Sequence, residues 1–237
     1  VGVPLRGLLA IGAYMRWAVD LRPHDRFWNI ADPGWAYGLY YSVTGPLALG
    51  HATLFYDGPF SVDSTCWVIN KYAITNLAGS PTAFTSLIST GTQFADSIRG
   101  RLRVISSAGE PLNPQVIRWF AEHLGVVIHD HYGQTELGMV LSNHHGLSHP
   151  VHEGSAGYAI PGHRMVVLDE QHQELPAGQP GALAVDRERS PLYWFSGYFG
   201  MPTKAFVGRY YLSGDTAELN DDGSISFVGR NDDVITT

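Results

Sequence analysis

Two observations predict an α/β fold with a covered, mainly parallel sheet region followed by a small antiparallel β-barrel-like subdomain. Short apolar strands alternate with helix-period stretches through the first two thirds of the chain, and hairpins replace them after about residue 155. The change suggests an α/β part over residues 1–154 and a β-rich part over residues 155–237. An apolar share of 44% and 12% aromatics in 237 residues provide for one large or two small packed cores. Charged residues make up only 16%, against about 25% in typical soluble domains. Some surface is therefore expected to be covered by further polypeptide, and the start at Val1 without Met points the same way.

In order along the chain, Leu5, Leu8, Gly12, Met15 and Val19 recur at three and four residues, which predicts one helical face ending before Arg22-Pro23. Strands are expected at 27–31, 53–56, 74–78, 104–107 and 126–129. The stretch 33–56 is uncharged and long enough to span a bilayer, but its prolines, glycines and polar residues read as buried strands and turns. The clearest unit runs from Arg103 to His129. After the strand, Asn113 can cap a helix that starts at Pro114, buries Val116, Ile117, Phe120 and Leu124, and ends at Gly125. Hairpin strands follow at 165–168 and 182–185, and 216–219 pairs with 224–228 around a two-residue Asp222-Gly223 loop.

With 15 basic and 22 acidic residues, net −7, the chain is not built to neutralise nucleic-acid phosphates. A single cysteine, Cys66, excludes a disulfide framework and multi-Cys metal sites. No signal-peptide pattern is visible, so a cytoplasmic location is expected, with the mitochondrial matrix left open. His144, His145, His149 and His152 read as a solvated loop, because Gly146 and Pro150 break any helix that would align them as ligands. No Gly-x-Ser-x-Gly elbow suggests a serine hydrolase.

Gly, hydroxyl and carboxylate groups concentrate at 106–111, 130–136 and 213–215 with Gly229-Arg230. The first two fall where strands end, the usual ligand crevice of an α/β sheet. From spacing alone Thr135 and Glu136 also read as the first turn of a helix, Asp215 as a turn residue after Gly214, and Trp35 as core. Four segments nevertheless resemble, in order, the motifs of adenylate-forming (AMP-binding) enzymes. They are Ser107-Ala108-Gly109-Glu110-Pro111, Tyr132-Gly133-Gln134-Thr135-Glu136, Tyr211-Leu212-Ser213-Gly214-Asp215 and the run from Gly229-Arg230 to Ile235. Asp32-Pro33-Gly34-Trp35, followed by Gly45-Pro46-Leu47, is similar to acetyl- and medium-chain acyl-CoA synthetases.

The resemblance implies ATP-dependent activation of a carboxylic acid as an acyl-adenylate, then transfer to CoA. It implies that the backbone of Gly109, Glu110 and Pro111 and the ring of Tyr132 hold the adenine, that Asp130 and Gln134 also belong to the nucleotide site, that Asp215 accepts the ribose hydroxyls with Arg230 nearby, that Thr135 touches the α-phosphate, and that Glu136 ligates Mg²⁺. Trp35 and Gly133 would line the acyl pocket. Acetate-specific relatives carry Trp at the position of Gly133, so its hydrogen is expected to open room for a short-to-medium-chain or small aromatic acid. The family's phosphate loop and its C-terminal lysine domain are expected outside residues 1–237, so the isolated chain is expected to be inactive. The rival readings are an adenylation domain serving a carrier protein and an incomplete nucleotide-binding fragment.

Overall fold

The computed structural model describes residues 1–230; the end of the fourth motif, from Asn231, lies outside the described residues. Four strands form the parallel part: β1 (Phe27–Asn29), β2 (Asn76–Gly79), β3 (Val104–Ala108) and β4 (Ile128–Gln134). The sheet then turns antiparallel through β5 (Gly138–Ser142) and β6 (Ser155–Ala159). Beyond β6 lie β11 (Ile225–Arg230), β10 (Tyr210–Leu219), β8 (Pro180–Asp186) and β7 (Met165–Leu168), with β9 (Phe206–Val207) on β10.

Helices cover both faces of the parallel part. On one side α4 (Val62–Tyr72), α5 (Pro81–Ile88), α6 (Gln93–Ile98) and α7 (Pro114–Leu124) bury Val68, Phe84, Phe94 and Phe120 against Leu77, Ile105 and Ile128. On the other, α1 (Gly7–Ala13) and its π-helical extension Tyr14–Ala18 pack with Tyr37, Tyr41, Ala78 and Ala108. A third cluster, including Leu141, Val185, Trp194, Phe195 and Ala217, fills the antiparallel unit. At about 1.5–3 kcal/mol per buried large side chain, this packing drives the fold.

The α7 unit forms as its sequence dictates. The Asn113 side chain accepts a bond from the Gln115 N–H at 2.8 Å, Pro114 occupies the first turn, and Gly125 closes the helix at φ +70°. Strands β7 and β8 pair from Met165↔Val185 to Leu168↔Ala182. In the last hairpin Leu219 faces Ile225 and Ala217 faces Phe227. Its loop is longer than the expected Asp-Gly pair: the Asn220 N–H donates to Ser224 O at 2.8 Å, so Asp221, Asp222 and Gly223 form the loop, with Gly223 at φ +85°.

Four expectations need correction. The first helix buries Ala10, Ile11, Tyr14, Met15, Ala18 and Val19, whereas Leu5 is 86% exposed and Leu8 is partly exposed. Leu5 precedes the helix and Leu8 lies on its exposed side, whereas Met15 and Val19 of the expected stripe are buried, so the spacing holds only for the later half, which continues through the π turn at Tyr14. Residues 53–56 form no strand; Thr53 makes one bridge to Phe27, and Phe55 and Tyr56 are left at the surface. The uncharged stretch is helical rather than turns and strands: α2 (Ala36–Gly38), a π-helical stretch Leu39–Thr44 and α3 (Gly45–Ala48). Tyr37 and Tyr41, one turn apart, face the core, and Gly45 is there to admit Met15, whose Cγ would lie 2.7 Å from a Cβ at that position. Finally, Thr135 and Glu136 begin no helix. They lie in the tight turn between β4 and β5, closed by Leu137 N–H to Gln134 O at 3.1 Å. Among the described residues no helix is long and apolar enough to cross a membrane.

Candidate functional site

A cavity of about 330 Å³ lies at the carboxyl ends of β3 and β4, where the antiparallel unit closes over them. Gly109, Glu110 and Pro111 form one wall as the chain leaves β3. Gly109 sits at φ +108°, and a Cβ there would lie 2.5 Å from the Trp35 indole, so only glycine permits both the turn and the ring beside it. Glu110 is held by the Thr82 hydroxyl, which donates to Oε2 at 2.8 Å.

Asp130 and Tyr132 share one parity of β4 and line the cavity, followed by Gln134 beyond a bulge. Opposite them, β10 and β11 bring Asp215 and Arg230 into register. The Tyr132 phenol donates to Asp215 Oδ2, although the two residues are 83 positions apart. Gln134 Nε2 donates to the same oxygen at 2.9 Å and to Ser213 O at 2.7 Å. Asp215 is 6% exposed, so this carboxylate is buried and paired across the junction of the two halves. Loss of water raises the Asp130 carboxyl to about 7, against the pull of the Leu112 and His131 N–H groups. Burial, then the Asp215 charge, pushes the Tyr132 phenol well above its ordinary value, which keeps it a donor.

A smaller pocket of about 160 Å³ adjoins, lined by Trp35, Tyr37, Tyr40, Tyr41, Gly133 and Thr135 among others. Gly133 lines this space as expected of an acyl-pocket residue, and the neighbouring strand imposes a second demand on it. A Cβ at Gly133 would lie 2.3 Å from Gly138 O and 2.7 Å from Met139 Cα, so the hydrogen is demanded by the neighbouring strand, and the pocket is shaped by the aromatic rings. Trp35, 43% exposed, is a wall residue rather than core.

Glu136 lines neither space. It sits on the β4–β5 turn, where its Oε1 accepts a bond from the Tyr198 phenol at 2.7 Å. Asp130, Tyr132, Asp215 and Arg230 therefore line one cavity, and Glu136 stands beyond the strand end. Sequence reasoning missed Thr82, Phe227 and Tyr198. It also missed Tyr37 and Tyr41, whose four-residue spacing after Trp35 was the available signal.

The opposite parity of β4 carries His129 and His131 into a buried cluster. The His129 and His145 rings stack at 3.8 Å, His129 Nδ1 bonds Asn143 O at 2.8 Å, and His145 Nε2 bonds Ile105 O at 2.9 Å. His131 Nδ1 meets the Tyr14 hydroxyl at 2.8 Å, and that hydroxyl reaches Tyr37 Oη at 3.1 Å. The expectation of a solvated histidine loop is thus wrong for half of it: His144 is 4% exposed and bonded to Ser142, and its N–H donates to His149 Nε2 at 2.8 Å. These partners come from residues distant in sequence, which a local reading of glycine and proline could not supply.

A small-molecule cavity at the strand ends of a parallel sheet, closed by an antiparallel unit, is the architecture of the adenylate-forming enzymes. The chain belongs to the AMP-binding enzyme family, whose model matches residues 4–199. Its fold superposes on a crystal structure of Brucella canis acyl-CoA synthetase with a TM-score of 0.96 and 62% identity, covering 100% of this chain and 44% of that one. It is 35% identical to acetyl-coenzyme A synthetase of Bacillus subtilis and 34% identical to the mitochondrial acyl-coenzyme A synthetase ACSM3 of Rattus norvegicus. Those alignments cover 94% and 96% of this chain but 39% of each relative, so the chain spans about two fifths of their length.

Proposed function

We propose that the chain is the nucleotide- and acyl-binding part of an ATP-dependent acyl-CoA ligase. The carrying observation is the Asp215 carboxylate, buried and held by Tyr132 and Gln134 across the cavity from Gly109-Glu110-Pro111. In this reading adenine lies between that backbone and the Tyr132 ring, beside Asp130. The Asp215 carboxylate accepts the two ribose hydroxyls, with Arg230 next to it; two acceptor oxygens suit a vicinal diol. Residues 1–154 supply the adenine and acyl sides and residues 155–237 the ribose side, meeting at β6, which pairs with both β5 and β11.

Thr135, exposed on the turn, would touch the α-phosphate, and Glu136 would hold Mg²⁺. A partly exposed carboxylate bonded to a neutral phenol fits that ion, which takes one or two carboxylates plus phosphates. When bound, the metal neutralises charge on the departing pyrophosphate. The protein's own part is positioning: the acid enters beside Trp35 and its carboxylate is aligned on the α-phosphorus, after which the CoA thiol captures the acyl group.

For the acid we infer a short-to-medium-chain or small aromatic acid, because the pocket of about 160 Å³ is walled by the rings of Trp35, Tyr37, Tyr40 and Tyr41. The lone thiol Cys66 suits a reducing compartment, and we place the enzyme in the cytoplasm. The test is acid-dependent ATP–pyrophosphate exchange and thioester formation by the full-length polypeptide carrying this chain. Exchange with benzoate or hexanoate is expected, and its absence across acetate, butyrate, hexanoate and benzoate would overturn the reading. Residues 1–237 alone should bind ATP weakly and form no thioester.

A further inference from the structure

We propose that Tyr198 is a positioning residue for Glu136, its phenol fixing the carboxylate in the orientation that receives the divalent cation; this rests on the metal-binding reading of Glu136 given above. The Tyr198 hydroxyl donates to Glu136 Oε1 at 2.7 Å from 62 residues away in sequence. The donor is itself anchored. Its ring meets the buried Phe195 edge-on at 5.3 Å, and Phe195 meets Tyr211 at 5.4 Å on β10, the strand that carries Asp215. A line of ring contacts thus connects the ribose side of the cavity to the carboxylate on the β4–β5 turn.

Without this bond a Glu side chain on a turn samples many rotamers, and ordering it would be charged against metal binding. With it, one oxygen is fixed by a neutral donor that carries no charge to repel the cation. Groups that orient a metal ligand without touching the metal are typically worth about 10–100-fold in metal affinity or activity. A partly exposed bond of this kind belongs at the lower end. The neighbouring Phe199 is 97% exposed and serves as the control for disturbance of the turn.

The experiment uses the full-length polypeptide with Tyr198→Phe, Glu136→Ala and Phe199→Ser. Mn²⁺ binding is followed by electron paramagnetic resonance with a non-hydrolysable ATP analogue present, beside steady-state exchange kinetics at varied Mg²⁺. Tyr198→Phe is expected to raise half-saturating metal about tenfold, with the KM for ATP at saturating Mg²⁺ changed less than about twofold, kcat restored by excess Mg²⁺, and the thermal midpoint unchanged. Phe199→Ser should leave the metal curve in place. A metal curve for Tyr198→Phe that superimposes on the parent while Glu136→Ala shifts it would overturn the inference alone. An equal shift with Phe199→Ser would also overturn it. Unshifted curves for both Tyr198→Phe and Glu136→Ala would remove the metal reading of Glu136 and this inference with it.

Discussion

The two parities of β4 are one strand in two environments. Asp130 and Tyr132 line the cavity, where a buried acid is pushed up to about 7 and a phenol is bound to a distant carboxylate. His129 and His131 point into a histidine and tyrosine cluster that burial holds neutral, with His129 lowered to about 4 and His145, stacked on it, to about 3. Desolvation acts on both sides and favours the uncharged form in each, so it raises the acid and lowers the bases. The lesson is that similar burial shapes a cavity on one side of the strand and a cluster of neutral bases on the other.

The sharpest separation should come from the turn that ends β4. Glu136→Ala in the full-length polypeptide is expected to lower acid-dependent ATP–pyrophosphate exchange by about 100-fold or more while weakening ATP binding far less. Neutralisation of the departing pyrophosphate matters most in the transition state. Being a partly exposed turn residue, Glu136 should leave the unfolding midpoint in urea unchanged. Equal exchange rates in mutant and parent would place the metal elsewhere.

The histidine side should govern stability against acid. His129, His144 and His163 are lowered to about 4 and His145 to about 3, and His131 is also held well below the ordinary imidazole range, burial being the first cause in each. Between about pH 6.5 and pH 4 the unfolded chain binds these protons and the folded chain does not, so stability falls as pH falls. Asp130 has the opposite sign: raised to about 7, it binds its proton more readily folded than unfolded between about pH 4 and 7. One acid against several bases leaves a net loss on acidification, each net proton contributing about 1.4 kcal/mol per pH unit. Urea unfolding at pH 7, 6 and 5 checks this, and a flat or rising midpoint on acidification would break the comparison.

Tyr14→Phe sharpens the same contrast at one atom. It removes the hydroxyl that meets His131 Nδ1 and Tyr37 Oη, leaving two buried groups short of a partner. The expected loss is about 1–3 kcal/mol in urea unfolding, with the KM for ATP unchanged because Tyr14 is absent from the lining of the cavity. A normal stability with a raised KM would reverse the assignment of the two sides.

What the sequence reveals about these regions follows from the range of the forces. The α7 unit is legible because its cap, its Pro114 and its Gly125 act within a few residues. The pairing of β10 with β11 is legible because the alternation of Ala217 and Leu219 matches that of Ile225 and Phe227. The cavity residues stand out through four ordered motifs, but the bond from Tyr198 to Glu136 could not, since one more tyrosine in an aromatic-rich loop carries no spacing signal. β5 is hidden because Thr135-Glu136 looks like a helix start, and only pairing with β4, from His131↔Ser142 to Gln134↔Gly138, makes it a strand. The histidine cluster is hidden for the same reason. Its contacts with Tyr14 and Ile105 and the backbone bond of His145 to Ala18 O are all made across the fold.

On the cavity side, the Trp35 indole lies beside the turn at Gly109 and walls the smaller pocket, which the proposed function assigns to the acyl group. Trp35→Ala should enlarge the pocket and shift preference toward longer acids. Each further buried methylene is worth about 0.8 kcal/mol, so two extra carbons favour octanoate over hexanoate by roughly tenfold relative to the parent. Specificity constants for the two acids decide it, and an unchanged ratio would return Trp35 to a packing role.

The smallest effect tests Asp130 itself. Adenosine carries no phosphate that titrates near neutrality, so its affinity isolates the protein's own ionisation. If the adenine amino group donates to the Asp130 carboxyl, the ionised form is the stronger acceptor, and with ionisation at about 7 the fraction available rises across the neutral range. Adenosine should therefore bind more tightly at pH 8 than at pH 6, by a fewfold, because the neutral acid still offers one carbonyl oxygen and loses only the charge-assisted part of the bond. Asp130→Asn has an acceptor that does not titrate and should flatten the profile at the level of the acidic parent. The histidines on the other parity are already neutral at pH 6, with His129 and His144 lowered to about 4 and His145 to about 3, so they add no slope over this range. Isothermal titration at pH 6, 7 and 8 measures it. A slope that survives Asp130→Asn would mean that the titrating group lies on the other side of the strand and that the two sides are coupled.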